Sequence, residues 1–240
     1  MRGCKGNVLG GASTDASDGG QPGLSQRSLR ARVGVAVLHV EVDLITADPP
    51  LLGDCVRYIE GEVRPTVESQ PGSLGMSLQA NPERGVAIVE SFWASYNALR
   101  DSERTAGPLR SEVIRRAKGT VTVERYAVPV FEREAPVRGG EGARLTRMDV
   151  QPKAVDDAVE AFGDTAVPSL AETAGFCSAL LFTDRASGHL ISETVWQDPH
   201  TLAASRSVCA AIRADAVEET KCVIRAVEEY ILVFSTVRKA

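Results

Sequence analysis

Two stretches that lie 103 positions apart decide the fold: VAIVESFWASYN at residues 86–97 and HLISETVWQDPH at residues 189–200. Each is rich in β-branched and aromatic residues as far as a tryptophan, which favours a strand. Trp93 and Trp196 are the only tryptophans of the 240-residue chain. Two positions later, Ser95 and Asp198 are residues that cap helix N-termini, and Pro199 suits a first helical position. Each stretch therefore predicts a strand followed by a helix.

The same offset aligns a much longer part of the chain. Residues 61–131 match residues 164–234 without a gap, with thirteen identical pairs that include Gly72 with Gly175 and Gly85 with Gly188. Glycines at equivalent turns are informative because turns often need a backbone conformation that only glycine adopts freely. The pattern predicts an internal duplication of a module of roughly 100 residues, a common domain size.

Each copy predicts the element order β-α-β-β-α-β. The first strands are expected at Arg32–Val42 and Arg144–Val150, where apolar residues alternate, and the first helices at Leu51–Ser69 and Lys153–Thr173. Pro65 and Pro168 should kink or restart those helices. The expected hairpins pair Ser73–Gln79 with Val86–Trp93 and Phe176–Thr183 with His189–Trp196, and the expected last strands are Thr120–Phe131 and Cys222–Phe234. In the first copy, Gly107-Pro108 should break the second helix.

These elements divide the chain into four parts. Residues 1–30 are rich in Gly, Ser, Asp and Gln and predict a disordered tail. Residues 31–131 form the first predicted module and residues 143–240 the second. Between them, EREAPVRGGEG at residues 132–142 has the Pro, Gly and charge content of a linker.

Composition excludes several classes of protein. A net charge of −5 with scattered Lys and Arg argues against nucleic-acid binding. No apolar run is long enough to span a bilayer, so no membrane association is expected. Five cysteines without a CxxC pair predict neither a disulfide framework nor a zinc site and fit a reducing cytoplasm. The three histidines lack paired spacing, so no metal is expected.

Short motifs add a family resemblance. Residues 68–75, ESQPGSLG, resemble the acidic-x-x-Pro-Gly-x-x-Gly entry to the second strand of the antibiotic-biosynthesis-monooxygenase superfamily, and residues 90–95, ESFWAS, resemble its E-x-x-W-x-S segment. Residues 172–176 and 193–198 repeat both motifs more loosely. The resemblance covers about residues 31–235. It implies an α+β fold in which two ferredoxin-like modules pair, within one chain, as a dimeric α/β barrel; further homodimerisation stays open.

The resemblance also implies a chemistry. Family monooxygenases oxidise aromatic or polyketide-type molecules with O₂, without metal, flavin or other cofactor, in a pocket between sheet and helices. By this resemblance Trp93 and Trp196, with Phe92 and Asn97, would bind substrate. The quinone-forming members carry an Asn four residues before the Trp, where this chain has Val89 and Ser192. Two other functions stay open on the same fold: a noncatalytic ligand-binding barrel, and a polyketide cyclase or isomerase.

Four residues are candidate catalytic groups. Glu90 and Glu193 lie in apolar strands, where burial would raise the pKa of a carboxylate and suit it to act as a base. Alternatively they face solvent or pair with Arg110 and Arg213. His39 and His200 could act as bases near neutral pH, although a shift of one position in register would turn His39 to the opposite sheet face. For the two tryptophans, the alternative to lining a pocket is packing in the core.

Overall fold

The computed structural model describes residues 37–238. The tail predicted for residues 1–30, and residues 32–36 of the predicted first strand, lie outside this range. The described part has two modules, each with the order β-α-β-β-α-β. Together their eight strands close one antiparallel barrel in the order β1-β3-β2-β8-β5-β7-β6-β4. The predicted paired-module fold is confirmed.

The first module contains β1 Leu38–Thr46, α1 Pro49–Tyr58, α2 Arg64–Glu68, β2 Ser73–Asn81, β3 Val86–Trp93, α3 Tyr96–Ala117 and β4 Thr120–Arg133. The second contains β5 Gly142–Asp149, α4 Val155–Ala161, α5 Val167–Ala171, β6 Phe176–Asp184, β7 His189–Trp196, α6 Pro199–Ala204, α7 Arg206–Thr220 and β8 Val223–Ser235. The strands β2 and β6, and likewise β3 and β7, begin and end 103 positions apart.

Both predicted helix interruptions at proline are confirmed, in an unforeseen form. A single π-helical turn, Ile59–Val63 in the first module and Phe162–Ala166 in the second, separates the two helical segments. Pro65 and Pro168 follow in the first turn of the next segment. A wider turn there relieves the need for the backbone N–H that proline lacks. Both π turns lie over the sheet.

The predicted break at Gly107-Pro108 is wrong. The helix α3 runs through Pro108 without interruption. Leu99 and Ser102 before the proline, and Val113 and Ala117 after it, are all buried. Packing on both sides therefore outweighs the roughly 3 kcal/mol that an internal proline costs.

The interruption occurs in the second module instead, at Ser205 between α6 and α7. The guanidinium of Arg144 donates to the carbonyl oxygen of Leu202 at 2.7 Å and to Ser205 Oγ at 2.8 Å. Leu202 O is a carbonyl that the following helical turn would otherwise use.

The predicted caps are both present: Ser95 Oγ accepts from Ala98 N at 3.2 Å, and Asp198 forms a capping box with Thr201.

Apolar residues pack on both faces of the sheet. The barrel interior holds a cluster that includes Val40, Phe92, Tyr126, Phe182 and Tyr230. Each outer face packs on the helices of its own module, one around Trp93 and the other around Trp196. Across residues 37–238, no helix is both long and apolar enough to cross a lipid bilayer.

Candidate functional site

Each module has a cavity between its sheet and its helices, at equivalent positions. The first-module cavity is small, about 40 Å³. The second-module cavity is about 100 Å³. Equivalent residues line the two, as three pairs 103 positions apart show: Val89 and Ser192, Leu109 and Ile212, and Arg110 and Arg213. The charged side chains around the two cavities differ because the residues at other equivalent positions are not the same.

An ion network closes the first-module cavity. Arg110, whose side chain is only 12% exposed, contacts carboxylate oxygens of Glu41 at 2.6 Å, Asp43 at 3.1 Å and Glu103 at 3.0 Å. Arg125 binds Glu41 at 2.8 Å and Glu103 at 2.6 Å from the other side. Burial alone would lower the pKa of the Arg110 guanidinium, but the three carboxylates raise it. The charged groups that line this cavity are therefore already paired with one another.

The second module replaces three of those partners. The counterparts of Glu41, Asp43 and Glu103 are Arg144, Thr146 and Arg206. Arg144 and Arg206 both bind Glu229, at 2.8 Å and 2.5 Å, on the barrel strand β8.

As a result, the counterpart of Arg110 has lost its partners. Within residues 37–238, Arg213 makes no hydrogen bond or ion pair. Burial lowers the pKa of its guanidinium, which is the opposite of the shift at Arg110. A half-buried cation without a direct ion-pair partner in this range therefore stands at the edge of an apolar cavity, where an anion would compensate it.

The second-module cavity is otherwise mainly apolar. Its lining includes Met148, Phe162, Leu181, Leu190 and Ile212. Ser192 and Arg213 add polar groups, and Phe162 comes from the π turn. An engineered apolar cavity of about 150 Å³ accepts benzene, so the space here, at about 100 Å³, limits an apolar group to at most one small ring.

Glu90 and Glu193 lie elsewhere, inside the barrel. They are 0% and 4% exposed. Each shares its strand face with interior apolar residues, Ile88 and Phe92 in β3 and Ile191 in β7. The alternative that they face solvent or pair with Arg110 and Arg213 is wrong, because the arginines lie on the opposite, helix-covered face of the sheet.

The two carboxyl groups meet at the centre of a polar cluster. Ser77 Oγ donates to Glu90 Oε2 at 2.5 Å, and Gln79 Nε2 donates to Glu193 Oε2 at 2.6 Å. Burial and the neighbouring Glu193 raise the pKa of Glu90 well above its ordinary value. Burial also raises the pKa of Glu193, against hydrogen bonds from Glu90 and Gln79 and the charge of Arg133. Two such carboxyls cannot both ionise without cost, which favours one proton shared by the pair.

This interior cluster has little room for a substrate. The space beside it is about 10 Å³, which corresponds to a single water molecule. The catalytic role of Glu90 and Glu193 stays a prediction, and the geometry favours a structural proton-sharing pair. Phe92 lies in the same interior, edge-on to Phe182 with ring centroids 6.0 Å apart.

Both tryptophans are fully buried in the sheet–helix cores, 1% and 0% exposed. Each indole Nε1 donates within its own strand, from Trp93 to Ser91 Oγ and from Trp196 to Thr194 Oγ1, both at 3.1 Å. Phe176 packs edge-on against Trp196. Neither indole lines the cavity of its module. Core packing accounts for both, and their role in binding stays a prediction.

The remaining candidates lie outside the cavities. His39 is on the helix side of β1, with its ring 5.8 Å from that of the exposed Tyr96, and burial lowers its pKa. Asn97 and His200 are exposed in the first turns of α3 and α6. The structure brings none of these three side chains to a cavity lining, so their roles remain predictions.

Sequence reasoning missed Arg213 as a site residue. The change of charge at equivalent positions, from Glu41 to Arg144 and from Glu103 to Arg206, was visible once the offset of 103 was known. This change of charge indicates that Arg110 keeps its carboxylate partners and that Arg213 does not.

Comparison by sequence finds no matching family model. Two curated relatives are the uncharacterized proteins Rv2557 and Rv2558 of Mycobacterium tuberculosis strain ATCC 25618 / H37Rv. The chain is 24% identical to Rv2557 over 183 residues, which are 76% of the chain and 82% of the relative. It is 24% identical to Rv2558 over 204 residues, 85% of the chain and 86% of the relative.

Solved structures are similar over most of the described barrel. An anthrone oxidase-like protein gives a TM-score of 0.63 at 16% identity, covering 84% of this chain and 93% of that one. A protein from Lactobacillus acidophilus NCFM, described as a "putative monooxygenase", gives 0.58 at 14% identity, with 84% and 95% covered. Identities this low establish the fold alone. The chain thus has the same α/β barrel fold as these structures.

Proposed function

We propose that this protein is a small-molecule enzyme of the cofactor-independent monooxygenase kind, and that it takes an aromatic or polyketide-type substrate into the second-module cavity. The observation that carries the proposal is the unpaired guanidinium of Arg213 at the edge of an apolar cavity of about 100 Å³. The anthrone oxidase-like protein that shares this fold makes an electron-rich aromatic the first class of substrate to test.

The chemistry uses the substrate as its own reductant. An electron-rich phenol or enol loses a proton, and the resulting anion transfers electrons to O₂. The oxidised carbon keeps one oxygen atom as a carbonyl, and the other oxygen atom leaves as water with two hydrogens from the substrate. A fixed cation in a water-poor site favours the anionic form strongly, because the low local dielectric strengthens their attraction. Arg213 would supply that cation, and the Ser192 hydroxyl would hydrogen-bond the substrate oxygen.

One observation favours a noncatalytic ligand-binding protein instead. Among the described residues that line this cavity there is no histidine, and the carboxylates of Asp215 and Glu219 belong to residues exposed on α7. A buried general base is therefore not in evidence there, and the substrate would need to be acidic enough to ionise beside Arg213. A cyclase or isomerase would face the same requirement.

Oxygen uptake tests the proposal. Metal-stripped protein should consume O₂ with single-ring polyphenols, the size that the cavity allows, and the product should contain one added oxygen atom by mass spectrometry. The Arg213→Gln variant should lose most of the uptake, whereas Arg100→Gln, an exposed arginine on α3, should keep it. Product without O₂ uptake would instead identify a cyclase or isomerase. Saturable binding without any turnover would contradict the enzyme proposal in favour of a binding protein.

A further inference from the structure

A basic groove lies where the β2–β3 turn of the first module meets the outer surface of the second module. It has a volume of about 540 Å³ and is lined by four arginines, Arg84, Arg144, Arg206 and Arg213, with Val227 and a single carboxylate, Glu229. Four guanidinium groups against one carboxylate leave an excess of positive charge. This local positive charge contrasts with the net charge of −5 of the whole chain.

Hydrogen bonds divide the four arginines into two kinds. Arg144 and Arg206 are both held by Glu229. In the described part of the chain, Arg84 and Arg213 have no ion-pair partner. Arg84 sits in the turn between β2 and β3, and Asn81 of that turn fixes its position by donating to the carbonyl oxygen of Glu229 at 3.2 Å. The groove is therefore lined by two guanidiniums without an ion-pair partner in this range, one from the β2–β3 turn and one from α7.

The first module lacks an equivalent. The counterparts of Arg144, Arg206 and Arg213 are Glu41, Glu103 and Arg110, and there Arg110 is bound by both carboxylates. Arg84 has Ser187 as its counterpart. Positive charge has thus accumulated around only one of two otherwise similar cavities.

Arg213 lines both the groove and the apolar cavity, so the two lie next to each other at this residue. We propose that the ligand of this site is an amphipathic anion, with a ring-sized apolar group in the cavity and a carboxylate or phosphate in the groove held by Arg213 and Arg84. This inference rests on the proposed function in placing the substrate in the second-module cavity. The planar fork of arginine donors matches either oxyanion in pairs of hydrogen bonds.

Calorimetric titration tests the ligand class without turnover. Benzoate and phenyl phosphate carry the two oxyanions on one ring, benzyl alcohol carries the ring without charge, and inorganic phosphate carries charge without the ring. Both aryl anions, or one of them, should bind at least roughly ten-fold more tightly than benzyl alcohol and inorganic phosphate, because charge-assisted hydrogen bonds and ring burial both contribute. Whichever aryl anion binds more tightly identifies the oxyanion.

Variants locate the site. Arg213→Gln and Arg84→Gln should each weaken binding of the preferred aryl anion roughly ten- to hundred-fold, and Arg100→Gln should leave it unchanged. Thermal unfolding of each variant verifies that it is folded. Equal affinity for benzyl alcohol, equal affinity for inorganic phosphate, or no effect of either groove variant would overturn the inference. Anion binding without oxygen uptake would refute the proposed reaction while leaving the ligand class intact.

Discussion

The Arg110→Ala substitution is expected to lower the free energy of unfolding by about 3–5 kcal/mol, because it leaves Asp43 without a cation and Glu41 and Glu103 with Arg125 alone. Glu41 is only 4% exposed, so water cannot replace the guanidinium there. Burial already raises the pKa of Asp43 to about 6, even with Arg110 in contact. Urea unfolding at pH 7, analysed by linear extrapolation, measures the change.

The equivalent substitution in the second module is the matched control. Arg213→Ala removes a guanidinium that has no ion-pair partner among residues 37–238. Its expected cost is no more than about 1 kcal/mol, as for substitutions that leave no buried group unpaired. If both variants lost the same stability, the contrast between a closed and an open cavity would be wrong.

The Glu90→Gln substitution is expected to raise the free energy of unfolding at pH 7, by at most about 4 kcal/mol. An unfolded Glu has a pKa of about 4.3, and each pH unit between that value and the folded pKa costs the native state about 1.4 kcal/mol. Because burial and Glu193 raise the folded pKa of Glu90, wild-type stability should fall as pH rises through this interval. Gln is neutral at every pH, can donate to Glu193 and can accept from Ser77.

Measurements at pH 5 and at pH 7 distinguish the contribution of Glu90 ionisation from any pH-independent effect of the substitution. The gain from Glu90→Gln should be smaller at pH 5 than at pH 7, and urea unfolding at both values measures it. The exposed Glu62→Gln serves as the control for loss of a carboxylate and should show little gain at either pH. A loss of stability in Glu90→Gln at pH 7 would mean that the ionised Glu90 carboxylate stabilises the barrel.

Local sequence predicted the strands well where two independent features bounded them. The strands β3 and β7 have the predicted bounds, since a turn glycine precedes each and a cap residue follows each tryptophan closely. Pro108 misled the helix prediction because the cost of one missing hydrogen bond is local, whereas burial of Leu99 and Val113 depends on the rest of the fold.

The candidate site was harder to predict. Residue parity in β3 places Glu90 on the face of Ile88 and Phe92, but the sequence does not say which face the helices cover. Burial of the tryptophans also could not be assigned, since an indole fits a core or a pocket equally well. The unpaired state of Arg213 depends on partners far away in sequence, and only the comparison of the two modules exposes it.

The most direct test of the unequal cavities is to map amide chemical shifts by NMR while benzoate or phenyl phosphate, whichever binds more tightly, is added. The account predicts saturable changes in amide chemical shift at Ser192, Ile212 and Arg213. The amide signals of the equivalent residues Val89, Leu109 and Arg110 should stay unchanged. Shifts centred on the first-module residues, or equal shifts in both modules, would contradict it.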